Sequence, residues 1–110
     1  MKEVLNAIAT ATLANTNYTL LLAGRDNEDI IVDRVFVSNE SGGAGTVSVA
    51  RVPDGATAAI AHNVAITASI ANDAAGAVTT PIIITSGQNL YVKASAADMT
   101  VSCDYRVAGE

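Results

Sequence analysis

The feature that most constrains the fold is a period of two near the end of the sequence, in residues 99–107. The apolar positions are Met99, Val101, Cys103, Tyr105 and Val107, and the polar positions are Thr100, Ser102, Asp104 and Arg106. Successive side chains of a β-strand point to opposite faces of its sheet. The alternation therefore predicts an antiparallel strand with one face in a core and the other in solvent.

Similar short segments recur along the 110 residues, separated by polar or glycine-containing turns. The remaining predicted strands cover residues 4–14, 18–23, 30–39, 46–52, 78–85 and 89–95, with weaker candidates in the segment 56–75. About eight short strands at this spacing indicate an all-β protein. We predict one domain over residues 1–110, an antiparallel β-sandwich of jelly-roll-like architecture.

Two further expectations concern the third predicted strand and the loop after it. Both faces of residues 30–39 carry apolar side chains, which predicts a central strand. A regular alternation places Ile31, Asp33, Val35 and Val37 on one face, and Val32, Arg34 and Phe36 on the other. The glycine-rich residues 41–45 then predict a flexible hairpin connection.

The segment 56–75 has the weakest pattern. Apolar residues at Ile60, Val64 and Ala68 are compatible with an amphipathic helix. Poor helix formers stand among them, at Thr57, Asn63, Thr67 and Asn72. We therefore favour irregular chain with short strands around residues 60–63 and 67–71, and we expect Pro81 near the start of the next strand, on a sheet edge.

Composition and charge exclude several classes of function. The net charge is −5, and the six Lys and Arg residues are scattered, so the chain lacks the basic face that nucleic acid requires. No uncharged stretch is apolar enough for a transmembrane helix, and Glu3 and Asn6 interrupt the N-terminal apolar run, which we interpret as a strand and not as a signal peptide. With no Trp, one Phe and three Tyr, the core is thin, and partner chains would add burial.

Residues with catalytic or ligand-binding chemistry are few. A Cys103–His62 dyad would require both side chains in one pocket. We instead expect a core cysteine, consistent with a reducing compartment, and a histidine at the surface or at an interface. The acidic run of Asp26, Glu28, Asp29 and Asp33 lacks the spacing of a calcium loop. Residues 41–46 lack the consecutive Lys-Ser/Thr pair of a phosphate loop, and a strand instead of a helix is predicted after them. We predict no enzyme activity, no cofactor, no metal and no small-molecule substrate.

The residues that we expect at a protein interface lie in two segments. Residues 1–6 form a candidate N-terminal arm, with Val4 and Leu5 adding a strand to the sheet edge of a neighbour. The charged loop contributes Arg25, Asp26, Glu28 and Asp29. A solvated loop is the alternative for these charges; otherwise Arg25 or Arg34 pairs with acidic groups of a neighbouring subunit.

The order of sequence features resembles that of small virion proteins of tailed bacteriophages, over nearly the whole chain. A Thr/Ala-rich opening, ATATLANTNYTLL, is followed by a strand that ends in Ser-Asn and by a Gly/Ala loop into TVSVARV. A segment with Ala-Asn-Asp crosses over, and the chain closes through Ser-Gly-Gln, LYVKAS, Ala-Ala-Asp and a last strand. The chain departs from this pattern in residues 56–75 and in its third strand, IIVDRV.

The resemblance implies a capsid decoration (cement) protein, a β-sandwich or jelly roll that assembles as trimers on a capsid. The expected partners are further copies of this chain and the major capsid protein or another virion protein, and the expected location is the virion, after synthesis in the host cytoplasm. Neck, tail or fibre proteins are the first alternative. A carbohydrate- or ligand-binding β-sandwich is the second, with Tyr18 or Tyr91 as its aromatic platform.

Overall fold

Nine antiparallel strands account for most of the computed structural model, which describes residues 6–109. The strands are β1 (Asn6–Leu13), β2 (Thr19–Leu22), β3 (Glu28–Asn39), β4 (Val47–Pro53), β5 (Asn63–Ile66), β6 (Ala75–Val78), β7 (Ile82–Ile84), β8 (Gln88–Ala94) and β9 (Met99–Gly109). A single turn of 3₁₀ helix, Ile60–His62, precedes β5. The all-β prediction is confirmed. Residues 1–5 and 110, at the two ends of the predicted domain, lie outside the described residues.

The strands form two sheets in jelly-roll order. The first sheet has the order β1-β9-β3-β6, with β7 also paired to β3, and the second has the order β2-β8-β4-β5. Most consecutive strands therefore lie in opposite sheets, and only β4 and β5 are both consecutive and paired with each other among the described strands. This arrangement is that of a double-sheet jelly roll, which confirms the predicted architecture.

The core lies between the two sheets and is built from small aliphatic side chains. Alternate residues of β4, β8 and β9 point inward, as the period of two predicts: Val47, Val49, Leu90, Val92, Met99 and Val101 are each less than 2% exposed. Cys103 packs in the same cluster. Among the described residues, the buried members of this cluster include no Trp, Phe or Tyr, although Tyr105 packs against it, so the sheets are held mainly by interdigitating Val, Ile and Leu.

A β-bulge in β3 corrects the predicted assignment of its faces. Ile30 and Val32 are buried, and so are Val35 and Val37, although the two pairs differ in parity. The register against β9 shifts between Val32 and Arg34, which inserts one extra residue and reverses the alternation. The prediction that Ile31, Asp33, Val35 and Val37 share one face, opposite Val32, is therefore wrong, while the prediction of a central strand is confirmed, since β3 pairs on both sides.

The predicted hairpin at residues 41–45 is also wrong, because these residues connect β3 of the first sheet to β4 of the second. The buried Asn39 holds this crossover. Its Nδ2 donates to the carbonyl oxygens of Gly43 (2.9 Å) and Ile70 (2.8 Å), and its Oδ1 accepts from the Ser41 amide at 2.9 Å. One buried, hydrogen-bonded side chain at the end of β3 thus joins two loops, the one that follows β3 and the one that contains Ile70.

Residues 56–75 contain no amphipathic helix, and their strand lies later than predicted, at Asn63–Ile66. Residues 67–71 make an isolated bridge between Ile70 and Gly45 in place of a strand. The predicted strand at 78–85 is divided into β6 and β7, which pair with separate parts of β3. Pro81 lies in the break between them, where its missing N–H costs no ladder hydrogen bond.

Candidate assembly surface

The two sheets leave strand edges open on both sides of the sandwich. In the described chain, β1 and β2 form one side, and β5 forms the other together with β6 and β7. Unpaired backbone groups on such edges are templates for another chain unless they are covered, bulged or charged. The two sides are therefore the first places to search for a contact with a neighbouring subunit.

A groove runs between β5 of the second sheet and β7 of the first, and we call it the edge groove. It has a volume of about 510 Å³ and is lined by Arg51, Val64, Ala65, Ile66, Val78, Thr80, Pro81, Ile82 and Ile83. Three of its apolar side chains face solvent to an unusual extent: Ile66 is 64% exposed, Ile83 48% and Val64 44%. A contiguous apolar surface of this kind, at an open strand edge, is typical of a protein–protein contact.

Arg51 is the one charged residue that lines the edge groove. It projects from β4, and its Nη1 donates to the carbonyl oxygen of Ile83 at 3.1 Å. The lining residues include no carboxylate that could balance the guanidinium. The groove therefore combines an apolar wall with a positive charge, and a guanidinium has further N–H donors for a carboxylate.

The predicted interface residues lie elsewhere. Arg25 and Asp26 are exposed in the loop between β2 and β3, Asp29 is exposed at the start of β3, and Glu28 is half-buried beside it, where it pairs with Gly109 of β9. The four charged residues thus share one end of the sandwich. Val4 and Leu5 lie outside the described residues. The assignment of all six to an interface stays a prediction.

Arg34 and Arg106 are engaged inside the subunit. Arg106 forms an ion pair with Asp33, with Nε 3.2 Å from Oδ2, and its Nη2 donates to Oδ1 at 3.3 Å. Arg34 lies 3.9 Å from a carboxylate oxygen of Asp104 and stacks over the Phe36 ring. The suggested pairing of Arg34 with a neighbour would have to compete with these contacts.

A second, more polar groove of about 460 Å³ crosses the outer face of the second sheet. The Tyr18 hydroxyl donates to Oδ1 of Asn63 at 2.8 Å, which links the start of β2 to β5 across the two strands between them. Lys93 lies 5.3 Å from the centre of the Tyr18 ring. One face of the ring is therefore occupied by a cation, and the hydroxyl is already bonded.

Cys103 and His62 do not form the dyad that their chemistry would allow. Cys103 is fully buried in the core, and burial raises the pKa of its thiol to about 11, against a smaller lowering by its backbone hydrogen bond with Ala9. His62 lies in the 3₁₀ turn, where Nδ1 accepts the Ala59 amide at 3.1 Å. A neutral, enclosed thiol is a poor nucleophile, so the expectation of a core cysteine agrees with the structure.

The amides of the glycine-rich crossover are also engaged. The amide of Gly42 donates to Oδ1 of Asn72 at 2.9 Å, and that of Ser41 donates to Asn39.

Within residues 6–109, no cluster of three His, Cys, Asp or Glu side chains has metal-binding geometry. No helix in the same part of the chain has the length and hydrophobicity to cross a bilayer.

The sequence analysis missed the edge groove. Val64 and Ile66 alternate with Asn63 and Ala65, which is a period-two signal, but four residues are too few to distinguish it from irregular chain. The exposure of Ile83 depends on the break between β6 and β7. Pro81 lies in this break, although the sequence pattern placed it inside a single predicted strand, 78–85. The groove itself is formed by residues about 20 positions apart and has no local signature.

By sequence, no protein-family model and no curated protein matches this chain. Solved structures do resemble it. A chain of the Bacillus endospore appendages, described as disulfide-linked pili, has a TM-score of 0.59 at 14% identity and covers 99% of this chain and 90% of its own. The Eiger TNF of S. frugiperda has a TM-score of 0.54 at 8% identity, covering 99% and 94%.

A chain in the acid-stable capsid of the Helicobacter pylori bacteriophage KHP30 is also similar. Its TM-score is 0.55 at 17% identity, over 96% of this chain and 93% of the phage chain. At these identities the likeness establishes the fold alone. The chain thus shares a β-sandwich fold with a chain of a phage capsid structure, a spore appendage chain and a TNF.

Proposed function

We propose that this chain is a non-enzymatic virion structural protein that decorates and stabilises a phage capsid as a trimer. The observation that carries the proposal is the edge groove, an exposed apolar surface at an open edge of a rigid jelly roll. The sequence resemblance to small phage virion proteins supports it. The shared fold with a chain of the KHP30 capsid is compatible with it.

The physical requirements of a decoration protein match this surface. Such a protein requires a stable scaffold, a face for its own copies and a face for the shell. Repeated use of one patch in a closed ring multiplies modest contacts. Ala, Thr, Val and Ser, which dominate the chain, lose little side-chain entropy when an interface orders them.

Co-sedimentation tests the proposal. The purified chain is mixed with empty capsid shells assembled without it, and the bound fraction is measured across a concentration series. We expect saturable binding with a copy number that is a multiple of the shell's symmetry. Binding at one vertex or on tails would indicate the neck, tail or fibre alternative. An absence of binding to both shells and tails would overturn the proposal.

A ligand-binding module is the second candidate, and the polar groove on the second sheet favours it. Tyr18, Lys93, Ser48 and Asn63 offer an aromatic ring, a cation and hydrogen-bonding groups to a polar ligand such as a glycan. A glycan array probed with the native chain and with Tyr18→Ala tests this candidate. Binding that disappears in the variant would support it, and an array without signal would exclude this candidate.

A further inference from the structure

We propose that the edge groove is the acceptor site for the N-terminal segment of a second copy of this chain, residues 1–5. The segment would add a short strand beside β5, with Leu5 in the apolar part of the groove and Glu3 against Arg51. This inference rests on the proposed self-assembly and names the residues that would produce it.

The shape and polarity of the groove define what it can accept. Val64, Ile66 and Ile83 require an apolar side chain, and the free edge of β5 offers backbone groups to an extended peptide. Strand addition to such an edge draws affinity from main-chain hydrogen bonds and specificity from alternate side chains.

The charge of the groove further restricts which peptide segments can bind in it. The Arg51 guanidinium lines a surface that has no acidic residue, so a matching segment carries a carboxylate near its apolar side chain. In the sequence Met-Lys-Glu-Val-Leu, an extended backbone places Glu3 and Leu5 on one face and Val4 on the other. The segment therefore supplies the apolar group and the carboxylate on the same side.

Sheet register shows that the donor is another copy. Asn6 pairs with Arg106, Arg106 with Ile31, and Ile31 with Ile83. Three strand spacings, about 14 Å, thus separate Asn6 from Ile83, whereas the Cα atom of Leu5 lies only about 3.8 Å from that of Asn6. Leu5 cannot reach the groove of its own subunit. A segment passed to the next subunit is a heterologous contact, which forms a ring when the rotation between subunits closes, and the proposed trimer is such a ring.

Disulfide trapping in the full-length chain tests the contact directly. The double variant Leu5→Cys/Ile66→Cys is oxidised mildly and run on a non-reducing gel, with Cys103 left in place because it is buried. We expect covalent dimers and trimers. Two matched controls should stay monomeric: Val4→Cys/Ile66→Cys, because Val4 faces away, and Leu5→Cys/Leu20→Cys, because Leu20 lies on the opposite edge strand of the second sheet.

Solution mass adds a second readout. We expect Leu5→Asp to raise the concentration for half-assembly at least ~10-fold, and Val4→Asp to change it little. The charge swap Glu3→Arg/Arg51→Glu should restore assembly that each single change weakens. If Leu5→Asp leaves the oligomer unchanged and no disulfide forms, the proposed contact is wrong, but the structural role is not contradicted.

The structural role is contradicted if the chain binds neither shells nor tails. A missing disulfide contradicts the proposed contact whichever result the binding experiment gives.

Discussion

The centre of the first sheet and the β5/β7 edge are built from the same residue types but differ in strand length and in how far their apolar side chains are buried. β3 and β9 pair from Glu28–Gly109 to Asn39–Met99, and their inward side chains are buried. β5 and β7 have four and three residues and leave Val64, Ile66 and Ile83 in solvent. The buried isoleucines stabilise the subunit, while Ile66 and Ile83 of the edge are exposed and could contact a neighbour.

The end of the sandwich at Asn39 resembles the centre of the first sheet, because its polar groups are bonded within the subunit. Two loops there are joined by one buried amide side chain whose hydrogen-bonding groups are satisfied. At the edge, by contrast, Arg51 has a single described hydrogen bond, to the carbonyl of Ile83. The contrast separates residues that fix the fold from residues that are available for assembly.

The largest expected effect comes from a matched pair of isoleucines. Ile30→Ala removes a fully buried side chain from β3 and should lower the free energy of unfolding by about 2–5 kcal/mol. Ile66→Ala should lower it by less than about 1 kcal/mol, because its side chain is already in solvent. Urea denaturation at low protein concentration measures both values, and similar losses in the two variants would break the comparison.

Asn39→Ala tests the end of the sandwich. The change removes all three hydrogen bonds of this side chain and leaves the Ser41 amide without its described partner, so we expect a loss of roughly 2–3 kcal/mol. The carbonyl groups of Gly43 and Ile70 keep one donor each, the Ser41 hydroxyl and the Gly45 amide. Thermal unfolding followed by circular dichroism gives the value. Ser38→Ala, at an exposed neighbouring position, is the control, and an equal loss in both would contradict the role of Asn39.

High pH should weaken the core through Cys103. Its pKa is about 11 in the folded chain, so the folded state retains a proton that the unfolded state releases above about pH 9. Stability is therefore fully present below pH 9 and falls between pH 9 and 11, by at most about 1.4 kcal/mol per pH unit. Denaturation curves measured at several pH values give the free energy of unfolding as a function of pH. Cys103→Ala should remove the decrease between pH 9 and 11, and an unchanged decrease in this variant would contradict the role of Cys103.

Tyr18→Phe should have the smallest effect. It removes the exposed hydrogen bond to Asn63 but keeps the ring beneath Lys93, so we expect a loss below about 1 kcal/mol. Chemical denaturation measures it. A loss as large as that of Asn39→Ala would place the outer face of the second sheet among the regions that fix the fold.

Local pattern was sufficient for much of this fold. The alternation in β9 and the turn residues that flank β8 and β4 predicted those strands to within one or two residues. The bulge near Asp33 escaped because a fixed period of two assigns faces by counting, and one inserted residue reverses every later assignment. The residues 41–45 illustrate a second limit, because a glycine-rich loop has the same local appearance whether it joins paired strands or crosses between sheets.

The candidate site was less accessible to sequence reasoning than the fold. Exposure of Ile66 and Ile83 is a property of two edges that meet in space, so neither segment shows it alone. The charged loop at Arg25 and Asp26 was visible because charge is a local property.

The most direct test of the account is the solution mass of the native chain and of Ile66→Asp, measured by light scattering across a concentration series. If the edge groove mediates assembly, the native chain has the mass of three chains, and Ile66→Asp has the mass of one while keeping its β-sheet circular dichroism. A native chain that stays a monomer at every concentration, or a folded Ile66→Asp variant that still forms the same trimer, would contradict the account.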